Sequence, residues 1–309
     1  MTLNPKTLIR AARLTYRAQV MAPAGLSDWV ANFRKYLKQP PRVIAYCRAL
    51  IEAGKWEEFT RVADETTLLF AEGARPIYLH DLDALERRIV LECLSLAAQS
   101  AESLTQLSRA VKYIVEAGIP GDFVECGVYR GGSIVAIIRT LQALGRSDRT
   151  LWLYDTFEGF PQPEEIDQHY RQTAAEDGGL KSWALHKRDD GSGGSDWCYS
   201  PIEDVRCAVS ATGYPQERTV FVKGLVEDTI PGQAPAQIAF LRLDTDFYRS
   251  TRHELVHLYP RMARGSVLIL DDYGAYQGAR VAVDAYFAEL GLKVLLARVD
   301  ENVRLLVKP

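Results

Sequence analysis

Residues 238–248 (IAFLRLDTDFY) and residues 266–273 (SVLILDDY) decide the fold, because each stretch joins an apolar run to a pair of aspartates. Apolar runs rich in Ile, Leu and Val predict buried strands of a parallel sheet. Ligands of open α/β sheets bind at the carboxyl ends of such strands, so the aspartates are expected to share one crevice. Neighbouring carboxylates repel one another, so they need a cation or shared protons, and their oxygens suit a hard cation such as Mg²⁺. The four aspartates are Asp244, Asp246, Asp271 and Asp272.

Strands and helices alternate around these stretches from residue 121 to residue 309. This alternation predicts an α/β fold with a mostly parallel, seven-stranded, Rossmann-like sheet. The closing antiparallel hairpin is typical of class I methyltransferases. The predicted strands are residues 122–126, 151–155, 219–222, 238–243, 266–270, 293–296 and 303–307, and the predicted helices between them are residues 133–144, 252–262 and 279–290.

Residues 1–117 are predicted to form a helical N-terminal extension, followed by the α/β domain at 118–309. The last helix of the extension ends at Gly118, two residues before Pro120, which is a clear stop signal. The helices predicted there are residues 45–53, 56–70, 82–98 and 104–117.

Residues 161–200 interrupt the alternation with a long polar insertion rich in Gly, Ser and Asp. A loop of this length inside a domain is usually a functional lid or lacks order. A lid over the site and a solvated surface insertion are both compatible with this composition.

The composition is that of a globular protein outside the membrane. The chain has 309 residues, of which 47% are hydrophobic and 25% charged, and its net charge of −3 provides no basic field for nucleic acid or an anionic membrane. Its five cysteines are scattered without a CxxC pair, which favours a reducing compartment. No segment reaches the roughly 18–20 apolar residues of a membrane span. We therefore expect a cytoplasmic protein.

The turn after the first predicted strand, residues 125–133 (ECGVYRGGS), has the spacing G-x-x-x-G-G and follows Glu125. Glycines let the backbone approach a ligand and begin a helix whose N-terminus offers donors. Without the G-x-G-x-x-G spacing, the turn favours a nucleoside that lacks phosphates over a dinucleotide. S-adenosylmethionine fits, because Glu125 would help to place its cationic methionine end. Glycine-rich turns also occur for packing alone, and Arg130 equally fits a surface charge.

Asp155 ends the second predicted strand, about thirty residues after the first. A carboxylate at this position can accept two hydrogen bonds from a ribose diol. The alternative is a turn or helix-capping residue. Together with the turn at 125–133, ribose binding is the favoured interpretation.

The motifs taken together resemble the macrocin-type O-methyltransferases, which include tylosin and mycinamicin sugar methyltransferases. That family methylates deoxysugar hydroxyls on macrolide and aminocoumarin antibiotics. The resemblance covers residues 118–309 in family order, and the first hundred residues are not well covered. The motifs are residues 121–133 (GDFVECGVYRGGS), 155–161 (DTFEGFP), 222–224 (VKG), 227–231 (EDTIP), 243–248 (LDTDFY) with 250–251 (ST), and 270–274 (LDDYG).

The resemblance implies an S-adenosylmethionine- and Mg²⁺-dependent O-methyltransferase that acts on a small glycosylated substrate of secondary metabolism. It implies that Asp244, Asp271 and Asp272 are metal ligands. It implies that Asp246 is the general base, which takes the proton of the acceptor hydroxyl. The predicted cofactor-binding residues are Glu125, Gly127, Tyr129, Arg130, Gly131, Ser133, Asp155, Thr156, Phe157, Gly224, Glu227 and Asp244.

The chain departs from the family pattern in two places. Family members often have Gly or Ala where Thr245 stands. The stretch around Gly191 is longer than usual. Because this insertion is expected to cover the acceptor, the sequence does not determine which acceptor is methylated. We also expect a homo-oligomer, a dimer or larger, in which the N-terminal helices either form the dimer or cap the active site of a neighbouring subunit.

Three other interpretations remain. A catechol-like diol is an alternative acceptor on the same fold, although the polar insertion disfavours an aromatic slot. A binding or scaffold protein without catalysis is disfavoured by the intact aspartates. Residues 253–257 (HELVH) match the zinc-protease string H-E-x-x-H, with Glu254 as base, but no third ligand is evident downstream. An ordinary amphipathic helix is the favoured interpretation of that string.

Overall fold

A seven-stranded sheet carries the C-terminal part of the chain in the computed structural model, which describes residues 81–94, 96–170, 179–191 and 193–309. Its order is β3-β2-β1-β4-β5-β7-β6. The first five strands are parallel, and β7 runs antiparallel to both β5 and β6. The prediction of a mostly parallel sheet that closes in an antiparallel hairpin is confirmed. The strands are β1 (Asp122–Cys126), β2 (Leu151–Asp155), β3 (Thr219–Lys223), β4 (Ile238–Leu243), β5 (Met262–Leu270), β6 (Ala297–Arg298) and β7 (Arg304–Val307).

Helices follow most of the strands, as the alternation predicts. Short 3₁₀ turns at Gln216–Arg218 and Tyr259–Arg261 precede β3 and β5. The described α-helices are α1 (Ala84–Cys93), α2 (Ala101–Glu116), α3 (Gly132–Ala143), α4 (Leu180–His186), α5 (Ile202–Ser210), α6 (Val226–Thr229), α7 (Tyr248–Leu258) and α8 (Gln277–Glu289). No helix in the described ranges is long and apolar enough to cross a membrane.

The chain divides into two units, residues 1–105 and 106–309. In the first unit, α1 begins with a capping box in which the Asp83 side chain accepts from the Glu86 amide and the Glu86 side chain accepts from the Asp83 amide. These two bonds satisfy amides that a helix N-terminus otherwise leaves unpaired. The helix predicted at 82–98 therefore starts close to its predicted position, but it ends at Cys93. The helices predicted at 45–53 and 56–70 lie outside the described residues.

Three elements of the sheet and its helices begin four residues away from their predicted starts. Strand β5 begins at Met262, four residues before its predicted start, because Met262 already pairs with Ile238 of β4. The exposed Arg264 and the left-handed Gly265 interrupt the apolar run, so the sequence pattern does not show this start. Helix α7 begins at Tyr248 and not at residue 252. Strand β6 lies at Ala297–Arg298 and not at 293–296, because the Asp300 side chain accepts from the amides of Asn302 and Val303 and so sets the turn into β7.

The core lies between the sheet and its helices, and the central strand β4 is buried along its whole length. Most of its side chains are apolar, as are the neighbouring ends of β1 and β5. One exception is Arg242, which is only 1% exposed and is the largest fully buried side chain of the described residues. A charged group at the centre of a sheet requires ionic partners, and these lie at the carboxyl ends of the strands.

Candidate active site

The carboxyl ends of β1, β4 and β5 meet at one edge of the sheet because these strands are neighbours. Cys126 pairs with Leu243, and Leu243 pairs with Leu270. The ladder continues one residue further, since the Asp244 amide donates to the Cys126 carbonyl (2.8 Å) and the Asp271 amide donates to the Leu243 carbonyl (2.9 Å). The sheet therefore delivers the four predicted aspartates to one place.

Three of these aspartates form a close group, here called the carboxylate cluster: Asp244, Asp246 and Asp272. Each offers one carboxylate oxygen, and these oxygens lie within 4.8 Å of one another. The Asp246 amide donates to Oδ2 of Asp272 (3.0 Å), which fixes the two residues relative to each other. Asp246 has a left-handed backbone, with φ of 64°, which is uncommon for a residue with a side chain. An all-oxygen donor set of this kind fits a hard divalent cation.

The fourth aspartate, Asp271, lies beside the cluster and forms an ion pair with the buried guanidinium of Arg242. Arg242 Nη2 is 2.8 Å from Asp271 Oδ1, and its Nη1 is 2.7 Å from both Glu125 Oε1 and Asp244 Oδ2. Sequence reasoning missed this residue because it sits inside an otherwise apolar strand. A lone arginine in the run 238–243 was the available signal, since such a residue is almost never buried unpaired.

Charge and burial act together on these groups. Burial raises the pKa of Asp246 and of Asp272, and the neighbouring carboxylates, Asp244 in both cases, raise it further. Burial by itself lowers the pKa of Arg242, but Asp244, Asp271 and Glu125 outweigh it, so the guanidinium remains charged. The single positive charge of Arg242 thus faces more carboxylates than it can neutralise. A second cation at the carboxylate cluster would be electrostatically favourable.

Glu125 joins this network from β1 and is 1% exposed. Burial raises its pKa to about 7, while the positive charge of Arg242 acts in the opposite direction. Its Oε1 accepts from Arg242, but Oε2 has no hydrogen-bond partner among the residues that the structure describes. A buried carboxylate oxygen without a donor is costly, so this atom marks a position for a cationic ligand group.

The glycines of the turn at 125–133 allow close packing of neighbouring strand ends as well as the approach of a ligand. A Cβ on Gly127, whose φ is +82°, would lie 1.8 Å from the carbonyl oxygen of Asp244, so only glycine permits this approach of the β1 and β4 ends. Gly131 begins α3 in a left-handed conformation, and its amide donates to Val128. Arg130 is exposed and lies over the Tyr129 ring, 5.3 Å from its centroid.

Asp155 binds the glycine-rich turn directly. Its carboxylate accepts from the amides of Val128 (2.7 Å), Tyr129 (3.1 Å) and Phe157 (2.7 Å). Burial raises the pKa of Asp155, and these three bonds lower it. A carboxylate offers about four acceptor positions, so the turn uses most but not all of them. The turn-residue and ribose interpretations of Asp155 are therefore compatible.

The other predicted cofactor residues lie around these strand ends. The Gly224 amide donates to the Asp155 carbonyl (3.0 Å), which extends the β2–β3 pairing. The Thr156 hydroxyl donates to Gly159, and Phe157 is buried with a left-handed φ of 52°. Glu227 lies on α6, with Oε1 3.6 Å from Nε of Arg249. Strained backbone at Tyr129, Phe157 and Asp246 thus concentrates at one edge of the sheet.

Described parts of the 161–200 insertion pack beside the same edge. The Phe160 amide donates to the Trp197 carbonyl (3.1 Å), and the Trp183 indole donates to the Phe160 carbonyl (3.0 Å). The Phe160 ring contacts Trp197 and Phe247, with centroids 5.0 and 5.3 Å away. Burial raises the pKa of the Cys198 thiol to about 12, and the charge of Asp246 contributes to this shift. The insertion therefore brings Cys198 and Trp197 close to the carboxylate cluster.

The H-E-x-x-H string lies on α7 with its acid and its imidazoles in different surroundings. His253 Nε2 is 2.8 Å from the Ile230 carbonyl oxygen, and the two histidine rings are 4.4 Å apart. Glu254 is fully buried and contacts Thr245. Among the described residues, the carboxylate cluster is the one group of three ligand side chains that could hold a metal. The amphipathic-helix interpretation fits this arrangement.

Comparison with known proteins identifies the fold and the family. The profile of the Macrocin-O-methyltransferase (TylF) family matches residues 93–306. The chain is similar to the structure of the O-methyltransferase NovP, with a TM-score of 0.59 and 28% identity over 69% of this chain and 82% of that one. The predicted class I methyltransferase fold is confirmed.

Two curated relatives are similar over the same region. The 8-demethyl-8-(2,3-dimethoxy-alpha-L-rhamnosyl)-tetracenomycin-C 4'-O-methyltransferase of Streptomyces olivaceus is 34% identical over 201 residues, which cover 64% of this chain and 69% of the relative. The Mycinamicin III 3''-O-methyltransferase of Micromonospora griseorubida is 30% identical over 199 residues, which cover 64% of this chain and 73% of the relative.

Proposed function

Because this chain belongs to the macrocin-O-methyltransferase family and is an O-methyltransferase, we propose that it methylates a sugar hydroxyl of a secondary metabolite, with S-adenosylmethionine as donor and Mg²⁺ as activator. The observation that carries the proposal is the carboxylate cluster next to the unpartnered Oε2 of Glu125. The carboxylate cluster would bind a metal cation, and the adjacent Glu125 Oε2 would bind an organic cation.

The residues around β1 and β2 fit the methyl donor. Glu125 Oε2 would accept from the ammonium group of the methionine end, which supplies the donor that this buried oxygen lacks. Asp155 would use its remaining acceptor capacity for a ribose hydroxyl, while its bonds to Val128 and Tyr129 hold the turn in place. Gly127 keeps this turn close to Asp244, so the donor would lie next to the carboxylate cluster.

The aspartates fit the metal. Asp244 and Asp272 belong to the close group, and Asp271 adjoins it through Arg242, so these three residues would hold Mg²⁺. Mg²⁺ bound there would supply the positive charge that lowers the pKa of an acceptor hydroxyl. Arg242 keeps Asp244 and Asp271 in fixed positions through charged hydrogen bonds.

Asp246 would take the acceptor proton. Its carboxylate lies within the cluster, and its raised pKa makes it a stronger base than an exposed aspartate. The donor would supply a methyl group bound to a sulfonium sulfur, which leaves as a thioether when the acceptor oxygen takes the methyl carbon, and Asp246 would accept the proton that the hydroxyl loses. The 161–200 insertion would cover the acceptor and exclude water, since the pKa of its Cys198 thiol, which burial raises, is raised further by the charge of Asp246 nearby.

A direct test is an assay of the purified chain with S-adenosylmethionine and a panel of acceptors, including macrolide and aminocoumarin glycosides and a simple catechol. Mass spectrometry should show a glycoside that gains the mass of one CH₂, and the catechol should remain unmodified. Methylation of the catechol alone would assign the enzyme to the alternative acceptor class. Homo-oligomer formation and a cytoplasmic location remain predictions, the first of which light scattering would test.

Removal of the metal should abolish turnover. With EDTA, we expect no product above background, and added Mg²⁺ should restore the rate. Asp271→Ala should raise the Mg²⁺ concentration needed for half-maximal activity by at least about tenfold, because it removes a proposed ligand. Asp148→Ala, which removes an exposed carboxylate just before β2, at the opposite end of the strands, is the control. Unchanged metal dependence in the Asp271 variant would exclude ligation by Asp271.

Substitution of Glu125 should weaken donor binding. Glu125→Gln preserves shape but loses the charge opposite the ammonium group, and a hydrogen bond to a charged group contributes about 1.5–3 kcal/mol. We expect the affinity for S-adenosylhomocysteine in calorimetry to fall about ten- to hundredfold at pH 8, where Glu125, with a pKa of about 7, is mainly ionised in the native enzyme. Equal affinities of the two proteins would remove Glu125 from the donor site.

A further inference from the structure

Thr245 and Glu254 form a hydrogen-bonded pair next to the carboxylate cluster, since Thr245 lies between Asp244 and Asp246 in the chain. The Thr245 hydroxyl donates to both carboxylate oxygens of Glu254, at 3.1 and 3.2 Å. Glu254 is 0% exposed and belongs to α7, whereas Thr245 lies in the loop between β4 and α7. The glutamate of the H-E-x-x-H string and the threonine of the aspartate loop, which the sequence analysis treated separately, are thus partners.

The loop that carries Asp244 and Asp246 is fixed at each residue. The Asp244 amide donates to Cys126, and the Asp246 amide donates to Asp272. The Thr245 carbonyl accepts from the Phe247 amide (2.7 Å), and its side chain is held by Glu254. The Thr245 side chain is thus directed to Glu254, whereas the carboxylates of Asp244 and Asp246, on either side of it, meet in the carboxylate cluster.

Glu254 also lies beside the neighbouring strand, because the Cys126 side chain at the end of β1 acts on the pKa of its carboxyl group, opposing the larger rise that burial causes. A buried carboxyl group requires a hydrogen-bond donor, which the Thr245 hydroxyl provides. The acid therefore connects three parts of the site: the end of β1, the aspartate loop and helix α7.

We propose that Glu254, acting through the Thr245 hydroxyl, is a positioning residue that holds Asp244 and Asp246 in register for metal binding and proton transfer. The inference rests on the proposed function, since it assigns a support to that same site. It gives the H-E-x-x-H string a role other than zinc binding. The pair contributes no atom to the reaction and acts through the geometry of the loop.

The test uses Thr245→Val, which keeps the shape and removes the hydroxyl, Glu254→Met, and the double variant. Loss of such supporting contacts typically costs 10- to 100-fold in metal affinity or activity. Each single variant should lower kcat about tenfold and weaken Mg²⁺ binding, measured by calorimetry without acceptor, by a similar factor. The KM for S-adenosylmethionine should stay within about twofold, because the pair does not face the donor site. The double variant should be no worse than either single variant.

Two controls separate positioning from general instability. Thr245→Ser keeps the hydroxyl and should retain native kcat, whereas Val256→Ala changes an exposed position of the same helix and should alter nothing. The inference would be overturned if both single variants had kcat and Mg²⁺ affinity within twofold of the native enzyme. It would also be overturned if the two losses in kcat multiplied in the double variant. If Glu254→Met fails to fold, the difference in kcat between Thr245→Val and Thr245→Ser still tests the inference. If the native enzyme needs no metal, the metal proposal fails, but the kcat pattern still tests the pair.

Discussion

Asp246→Asn is expected to lower kcat by about 10²–10⁴-fold, the range associated with loss of a general base. Asparagine has the same shape but cannot accept the acceptor proton. The Asp246 amide donates to Asp272 through the backbone, so this contact survives the substitution. The affinity for S-adenosylmethionine should remain within about twofold, because the donor would contact Glu125 and Asp155. Single-turnover kinetics and calorimetry measure the two quantities separately.

A matched control is Asp189→Asn, which makes the same chemical change at an exposed position of the insertion. It should leave both kcat and donor affinity unchanged. Turnover of the Asp246 variant within a few-fold of native would remove this residue as the base. Because Asp246 also belongs to the close group of three carboxylates, the Mg²⁺ affinity of the variant should be measured. A large loss of metal binding would assign Asp246 to ligation instead.

Arg242→Met is expected to destabilise the protein by about 3–5 kcal/mol, the cost of breaking a buried ion pair by removing one partner. Arg242 is 1% exposed and faces Glu125, Asp244 and Asp271. Methionine fills similar space but leaves these carboxylates without their cation. Urea unfolding without ligands measures the change. Arg218→Met, at an exposed position, should change stability by less than about 0.5 kcal/mol.

The loss of stability should depend on pH in a defined direction. Burial already raises the folded-state pKa of Glu125 to about 7, above its ordinary value of 4.5, and Arg242 opposes this shift. Removal of Arg242 raises the folded-state pKa further, so the folded variant binds more protons than the unfolded chain. Its stability should then fall as pH rises from about 5 to 8. A destabilisation that is equal at pH 5 and pH 8 would contradict this account of the network.

The order of elements followed from local pattern. Apolar runs of strand length, helices between them and a final hairpin predicted the sheet, because burial on both faces requires continuous apolar strands. The short strand β6 was misplaced because two exposed residues carry no periodic signal, and its position depends on the Asp300 turn. Similarly, the early start of β5 depends on pairing with Ile238, which the residues around Gly265 do not reveal.

The sequence by itself determined which residue types stand at the strand ends: paired aspartates, a glycine-rich turn after Glu125, and Asp155. Only the tertiary structure decided which of them meet. It placed Asp246 with Asp244 and Asp272, set Asp271 on Arg242, and paired Thr245 with Glu254. The physical reason is that strand neighbours and helix faces bring distant residues within hydrogen-bond range. Burial then makes every unpaired charge costly, so partners are chosen by three-dimensional proximity and not by spacing along the chain.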